Sequence, residues 1–316
     1  MVSFLIASLG QTRVDMLAFV LGFALSALLI TLFRDKLPHD HGRQYAVNGE
    51  LSRGKARGAG VVLVPCVALV SMAFMPFTAE FAAYMALLVA AMLSGYLDDA
   101  AETPWNEYKK GLLDLIIAVL TAITFLNFDG PTVYVLGYTW ALPVPVYLVL
   151  AVILIWVSIN VTNCSDGVDG LSPSVAIVVM GTFAVAFSSE LGSYRTAVLV
   201  YIAALLAYLW HNASPCELMM GDAGSRAMGF FVAVLAMKSH HPFAYLLAAL
   251  VFILDGGLGI LKISLKRFLH IPILTHTLTP LHDHARKRMG WSDTQVVFRF
   301  VTIQVLLAAL LCLLEG

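Results

Sequence analysis

Charge is what this sequence has least of. Asp, Glu, Lys and Arg make up 12% of the 316 residues, against 60% hydrophobic, where a soluble domain carries about 25% charged residues. That shortage excludes an ordinary water-soluble enzyme. Cysteine is sparse as well: Cys66, Cys164, Cys216 and Cys312 show no pair spacing, so neither a disulfide framework nor a zinc site is suggested. The N-terminus lacks a basic stretch followed by a small-residue cleavage site, and no removable signal peptide is read there. Internal repeats, low-complexity tracts and linkers are missing too, so residues 1–316 are read as a single domain. The net charge of −1 says little, because the order of the signs matters more than their sum.

What the sequence does hold is a series of apolar runs near the ~20 residues needed to cross a bilayer. They lie at 14–33, 59–77, 80–97, 111–127, 142–159, 171–189, 195–210, 226–238, 242–264 and 293–313. The expectation is an all-α, polytopic integral membrane protein with about ten transmembrane helices. The run at 226–238 is short, but Gly229 and its small neighbours allow it to continue from the turn at 221–225. With ten spans, the odd-numbered gaps hold Arg34, Lys36, Arg43, Arg53, Lys55, Arg57, Lys109, Lys110, Lys266, Arg267, Arg286, Lys287 and Arg288. The opposite side holds Arg13, Arg195 and Lys238. Basic loops stay in the cytoplasm, which predicts both termini on the extracytoplasmic side.

The chain is organised around Asn160-Val-Thr-Asn163-Cys-Ser-Asp166-Gly167-Val-Asp169-Gly170, set between two apolar runs. A polar turn explains the glycines; it does not explain two acids at membrane depth, where charge is costly and usually functional. Three more clusters fall on the same predicted cytoplasmic side: Ser94-Gly-Tyr-Leu-Asp98-Asp99, Met219-Met-Gly-Asp222-Ala-Gly-Ser225, and Thr279-Pro-Leu-His282-Asp283-His284. On a helix, Asp98 and Asp99 point about 100° apart, so one can contact a metal or act as a base while the other orients a neighbour. Small residues around Asp222 allow close backbone approach to a phosphate or cation, and oxygen ligation of this kind suits Mg2+; capping of the following helix is the plainer role. The His282/His284 loop runs into Arg286, Lys287 and Arg288, and cations beside metal-binding acids suit phosphate transfer.

With those residues in place, the chain resembles the polyprenyl-phosphate N-acetylhexosamine-1-phosphate transferases. The motifs are Gly95-Tyr-Leu-Asp98-Asp99, Asn160-x-x-Asn163-x-x-Asp166-Gly-x-Asp169-Gly-Leu171, Met220-Gly-Asp222-x-Gly-Ser225 and Pro280-Leu-His282-x-His284. Their order and spacing cover nearly the whole chain. The histidine stretch, followed by basic residues and Gly290-Trp291, looks most like the branch that transfers phospho-N-acetylmuramoyl-pentapeptide.

The resemblance implies a Mg2+-dependent transferase of the bacterial cell membrane with its active site on the cytoplasmic face. It would move phospho-MurNAc-pentapeptide from UDP-MurNAc-pentapeptide to undecaprenyl phosphate, giving lipid I and UMP. By carry-over Asp222 holds Mg2+, Asp98 and Asp99 serve the lipid phosphate or the metal, and His282 and His284 meet the diphosphate. Asp166, Gly167 and Asp169 belong to the loop that contacts the nucleotide-sugar, with Asn160 and Asn163 at the family's polar positions. Lys109 resembles the lysine that follows the acidic pair. Met219 replaces the aromatic that packs on uracil, and uridine-containing nucleoside inhibitors are expected to enter the same site. Other departures are Glu102 for a lysine, Asp283 for a histidine, Asp255 for a glutamate and Lys262 for a glutamine. The basic residue ahead of the second span is left open between Arg53, Lys55 and Arg57. No nucleic acid is expected as a partner, and a homodimer is compatible with the sequence. The competing readings are a GlcNAc-1-phosphate transferase of the same family and, from another class, a transporter with intramembrane acids. A transporter favours midplane sites and repeated halves; these acids sit at helix ends and no repeat stands out.

Overall fold

The computed structural model describes residues 10–40, 53–101, 103, 105–135 and 137–315. Arg43 and Glu102, both used above, lie outside them. The protein is mostly helical. In chain order it contains α1 (Gln11–Phe33), a two-residue strand β1 (Ala56–Arg57), α2 (Gly60–Phe74), α3 (Ala79–Asp99) and α4 (Glu107–Phe128). A hairpin of β2 (Thr132–Val135) and β3 (Tyr138–Ala141) leads to α5 (Val144–Cys164), α6 (Leu171–Ala186), the single turn α7 (Ser188–Leu191) and α8 (Tyr194–Asn212). Strand β4 (Leu218–Met219) precedes α9 (Gly221–Lys238). Then follow α10 (Tyr245–Ala248), the long helical run α11 (Leu250–Leu269), α12 (Leu281–Lys287) and α13 (Asp293–Glu315).

Local chemistry explains the boundaries. Thr78 caps α3 by accepting from the Phe81 amide at 3.1 Å, and Asn106 caps α4 by accepting from the Lys109 amide at 2.8 Å, the side-chain role such residues favour at helix starts. Gly170, at φ +80°, turns the chain into α6 through a conformation that costs glycine nothing.

Among the described residues, six helices are long and apolar enough to cross a membrane, or seven if the pair Pro242–Ala248 and Leu250–Leu269, bent by 69°, counts as one span. This makes the chain a multi-pass membrane protein, but it departs from the ten spans expected. All ten apolar runs are helical; they differ in length and polarity. With 15 residues, α2 reaches about 22 Å at 1.5 Å per residue, short of the ~30 Å hydrocarbon core, and α6 has 16. The expected all-α architecture also gains two small sheets: β1 pairs in parallel with β4, and β2 pairs antiparallel with β3.

The run that looked weakest in the sequence is the hub. α9 starts at Gly221 and, apart from Asp222, is buried along its length, packed on α2, α3, α5 and α6. Small residues make this possible. A Cβ on Gly229 would strike the Ser158 carbonyl of α5, one on Gly60 the Gly224 backbone, and one on Gly95 the Asp222 carbonyl. Helices in lipid gain association energy from such close backbone approach.

Candidate functional site

The tight packing of α2, α3 and α9 brings their ends to one place. Gly221 has φ +70° and a Cβ there would collide with the Asp99 carboxylate, so this position accepts glycine on both counts. The next residue, Asp222, sits in the first turn of α9, where the helix dipole favours an anion. β1 pairs with β4 so that Arg57 lies beside Met219, and the Gly58 and Ala59 amides both donate to the Met219 carbonyl at 3.1 Å. This clamp carries Arg57 into the acids. One guanidinium nitrogen, Nη2, lies 2.7 Å from Asp99 and 3.3 Å from Asp222, while Nη1 lies 3.5 Å from Asp40. Burial works against the charged guanidinium, but Asp99, Asp222, Asp40 and Asp166 outweigh it and hold its pKa above the ordinary value.

The second cation is Lys110, in the first turn of α4. Its ammonium pairs with Asp98 and lies 3.7 Å from Asp222. Asp98 also accepts from the Trp105 amide at 2.8 Å. The adjacent aspartates therefore diverge as helix geometry requires: Asp98 faces Lys110, and Asp99 faces Arg57 and the α9 amide of Ala223 at 3.4 Å. Lys109, nominated from the sequence, turns to the Trp105 ring at 3.3 Å. Of the three basic residues left open, Arg57 reaches the acids; Lys55 lies 3.5 Å from the Cys216 sulfur.

The loop at 160–170 frames this centre. The Asn163 amide donates to the Ser225 hydroxyl at 2.9 Å, one turn beyond Asp222. Asn160 points its amide at Asp114 (3.2 Å) and the Trp156 carbonyl (2.9 Å). Asp169 accepts from the Cys216 amide at 3.0 Å and Gly170 donates to Asn212 at 2.8 Å, which ties the loop to the segment before β4. Burial first, and then Asp169, push the Cys216 thiol up to about 12, so it stays protonated and unreactive. Asp166 acts electrostatically on Arg57.

The histidine loop docks on the same frame. A π-helical turn at Ile253–Gly257 carries Asp255 inward, with Gly256 against the Val161 carbonyl. Asp255 accepts from the His282 amide at 2.7 Å and lies 2.9 Å from its Nδ1. Nδ1 thus faces the Asp255 carboxylate, while Nε2 lies 4.0 Å from Asp283 and over Gly167, where a Cβ would fill its place. His284 accepts from the Leu278 amide at 3.2 Å, and Lys262 pins the loop through the Thr277 carbonyl at 2.7 Å. Asp283 pairs with Lys287 at 3.2 Å.

Sequence reasoning missed four participants: Asp40, Lys110, Asp114 and Arg226. Only Lys110 carried a usable signal, standing next to the lysine that was chosen. Asp40 arrives from a distant segment. Asp114 and Arg226 sit inside apolar helices, where their mutual proximity is a tertiary fact. Among the described residues, no three His, Cys, Asp or Glu groups converge closely enough to form a metal cage by themselves.

Residues 81–240 match the family described as glycosyl transferase family 4, which together with the apolar helices defines a membrane-embedded transferase. The phospho-N-acetylmuramoyl-pentapeptide-transferases of two Treponema pallidum strains are 39% identical over 293 residues, covering 86% of this chain and 81% of theirs. The Lactobacillus delbrueckii subsp. bulgaricus protein of that name is 27% identical over 305 residues, covering 90% and 93%. The chain belongs to the phospho-N-acetylmuramoyl-pentapeptide-transferase family.

Proposed function

We propose that this chain transfers phospho-MurNAc-pentapeptide from UDP-MurNAc-pentapeptide to undecaprenyl phosphate, releasing UMP and forming lipid I. The observation that carries this reading is the convergence of Asp98, Asp99 and Asp222, from two helices, around Arg57 and Lys110. The transferase relatives supply the reaction class. The chain would work as one domain over 1–316, with about ten helical passes counting the short helices, both termini extracytoplasmic, and the acid cluster facing the cytoplasm. The sidedness of Lys and Arg supports that orientation.

A divalent cation fits the donor set. Asp40, Asp98, Asp99 and Asp222 outnumber Arg57 and Lys110 by four to two, so the centre keeps a surplus of negative charge. Mg2+ binds through one or two carboxylates and completes its shell with water and substrate phosphate, which agrees with the lack of a closed cage among the described residues. Asp222, with Asp98 or Asp99, would hold it. When bound it neutralises charge on the diphosphate.

The chain's own residues do the rest. Lys110 and Arg57 pair with the acids and present positive charge to phosphate oxygens. A lipid phosphate oxygen attacks the sugar-bearing phosphorus in line; the bond to the bridging oxygen breaks, and UMP leaves with that oxygen. The phosphate's second pKa lies near 6, so Asp98 or Asp99 takes its remaining proton mainly below neutral pH. His282, oriented by Asp255, faces its Nε2 to the loop at Gly167; carrying a proton on both ring nitrogens, it would donate from Nε2 as negative charge spreads over the phosphoryl oxygens in the transition state. In the competing route Asp98 or Asp99 attacks the same phosphorus first, UMP leaves, and the lipid phosphate then displaces the aspartate from the aspartyl-phosphosugar.

The test is UMP release by purified protein in detergent with both substrates and Mg2+. Release that depends on the lipid carrier and on Mg2+ is expected; no release would sink the reading. A stoichiometric burst of UMP without lipid, lost in Asp98→Asn or Asp99→Asn, would replace direct attack by the covalent route.

A further inference from the structure

One turn deeper than the site, α4 and α9 carry a second pair of charges. Asp114 and Arg226 form an ion pair with each residue only 2% exposed. On α9 the acid Asp222 is followed four residues later by Arg226; on α4 the base Lys110 is followed four residues later by Asp114. Residues at i and i+4 share a helix face. The two facing stripes thus carry opposite charge in opposite order, an outer rung of Lys110 with Asp222 and an inner rung of Asp114 with Arg226. Arg226 also donates to the Lys110 carbonyl at 3.3 Å, and Asn160 of α5 donates to Asp114 at 3.2 Å.

From this ladder we infer that Arg226 and Asp114 are positioning residues that fix the register of α4 against α9 and so hold the Lys110 ammonium between Asp98 and Asp222. A buried ion pair is a poor device for stability, since desolvation offsets its attraction. Arg226 even keeps its Nε buried with no hydrogen-bond partner. Register is what such a pair specifies well, because any rotation or slide of α4 separates both rungs together. Lys110 needs the support: a cation in the first turn of a helix is opposed by the dipole, and α4 begins only three residues before it. The inference rests on the transfer reading for its effect on turnover, but its geometric content is independent of that reading.

The experiment uses the full chain in detergent with Asp114→Leu/Arg226→Met, an apolar replacement of both partners. Two readouts are taken: UMP release, and the rate at which an amine-acylating reagent modifies Lys110, read by peptide mass spectrometry with Lys36 as internal reference. Acylation of Lys110 is expected to rise severalfold while the unfolding temperature stays within a few degrees of the parent. Turnover is expected to fall about a hundredfold, the scale of a displacement near 1 Å. In a Lys110→Met background the same pair replacement should add little, because groups acting through one another are not additive. Arg226→Lys alone, which keeps the charge, should leave Lys110 protected and retain most of the turnover. Asp114→Asn, a milder change of the same rung, should expose Lys110 even if the double variant does not fold. Unchanged Lys110 acylation in the folded variants would overturn the inference, as would an additive effect in the Lys110→Met background. If the parent itself releases no UMP, the transfer reading fails, while the acylation result still decides the register.

Discussion

Each of α3, α4 and α9 reaches from one end of the bundle to the other and brings charge to both. At the far end, Lys238 of α9 lies 2.8 Å from Glu80 of α3 and 2.7 Å from Asp129 at the end of α4, and 4.8 Å from the Tyr194 ring. Glu80 stands in a first turn and Lys238 in a last turn, the places where helix dipoles favour those signs. At the site end the preferences are reversed. Asp98 and Asp99 finish α3, and Lys110 opens α4; only Asp222 agrees with its dipole. Two acids less one cation leave a surplus of one negative charge at the far end, and four less two leave a surplus of two at the site. The same helices and residue types thus build a fastening at one end and a centre poised to take up positive charge at the other. Charge held against local preference marks the working end.

The sharpest way to break that contrast is Asp222→Asn. It keeps volume and removes charge, so UMP release should fall by orders of magnitude across an Mg2+ titration while the unfolding temperature holds. Near-normal turnover at low Mg2+ would move the metal to Asp98 and Asp99. Next in size, His282→Asn should lower turnover about 10²–10³-fold, the range for losing one preorganised donor to a transition state. Asp255→Asn, which leaves the ring in place but unoriented, should cost less; equal losses would mean that Asp255 itself meets substrate.

At the far end the effect should shift from rate to stability. Lys238→Met leaves the half-buried Glu80 and Asp129 without their cation, a loss of about 2 kcal/mol readable as a lower denaturation midpoint. Turnover per folded molecule should stay within about twofold, and a selective loss of activity would erase the distinction between the two ends. The smallest effect concerns His241, stacked on Phe187 at 4.3 Å. Burial lowers its pKa below the ordinary value, against the pull of Glu315. The unfolded chain then binds more protons than the folded one below about pH 6.5. The contribution to stability is present above that value and is lost as pH falls toward the folded pKa. Unfolding temperatures should drop more between pH 7.5 and 5.5 in the parent than in His241→Gln, and parallel curves would argue against the shift.

Much of the site could be read from the chain because its acids and histidines interrupt apolar runs, where unpaired charge is too costly to be incidental. Asp98, Asp99, Asp222 and His282 were singled out this way, whereas Gly167, which lies beneath the His282 ring, came only with the family resemblance. The passes were harder to count. α2 and α6 look like spans by composition, but they close at 15 and 16 residues, short of the ~20 needed to cross a bilayer. The run at 226–238 looked marginal because Gly221, Asp222 and Ser225 dilute it, yet that dilution is what lets α9 serve as the packed centre.

Composition and the spacing of four motifs determined, without any coordinates, a helical membrane protein that resembles a sugar-phosphate transferase, because apolar length and ionisable interruptions are properties of the chain itself. Which cation meets which acid was decided only by the tertiary structure. Lys109 and Lys110 are adjacent in sequence and differ by about 100° around the helix. The β1–β4 pairing decides that Arg57, and not Lys55, points into the acids. The charge ladder of Lys110, Asp114, Asp222 and Arg226 exists only once the first turns of α4 and α9 meet, since pairing between distant segments is a matter of register and no local signal encodes it.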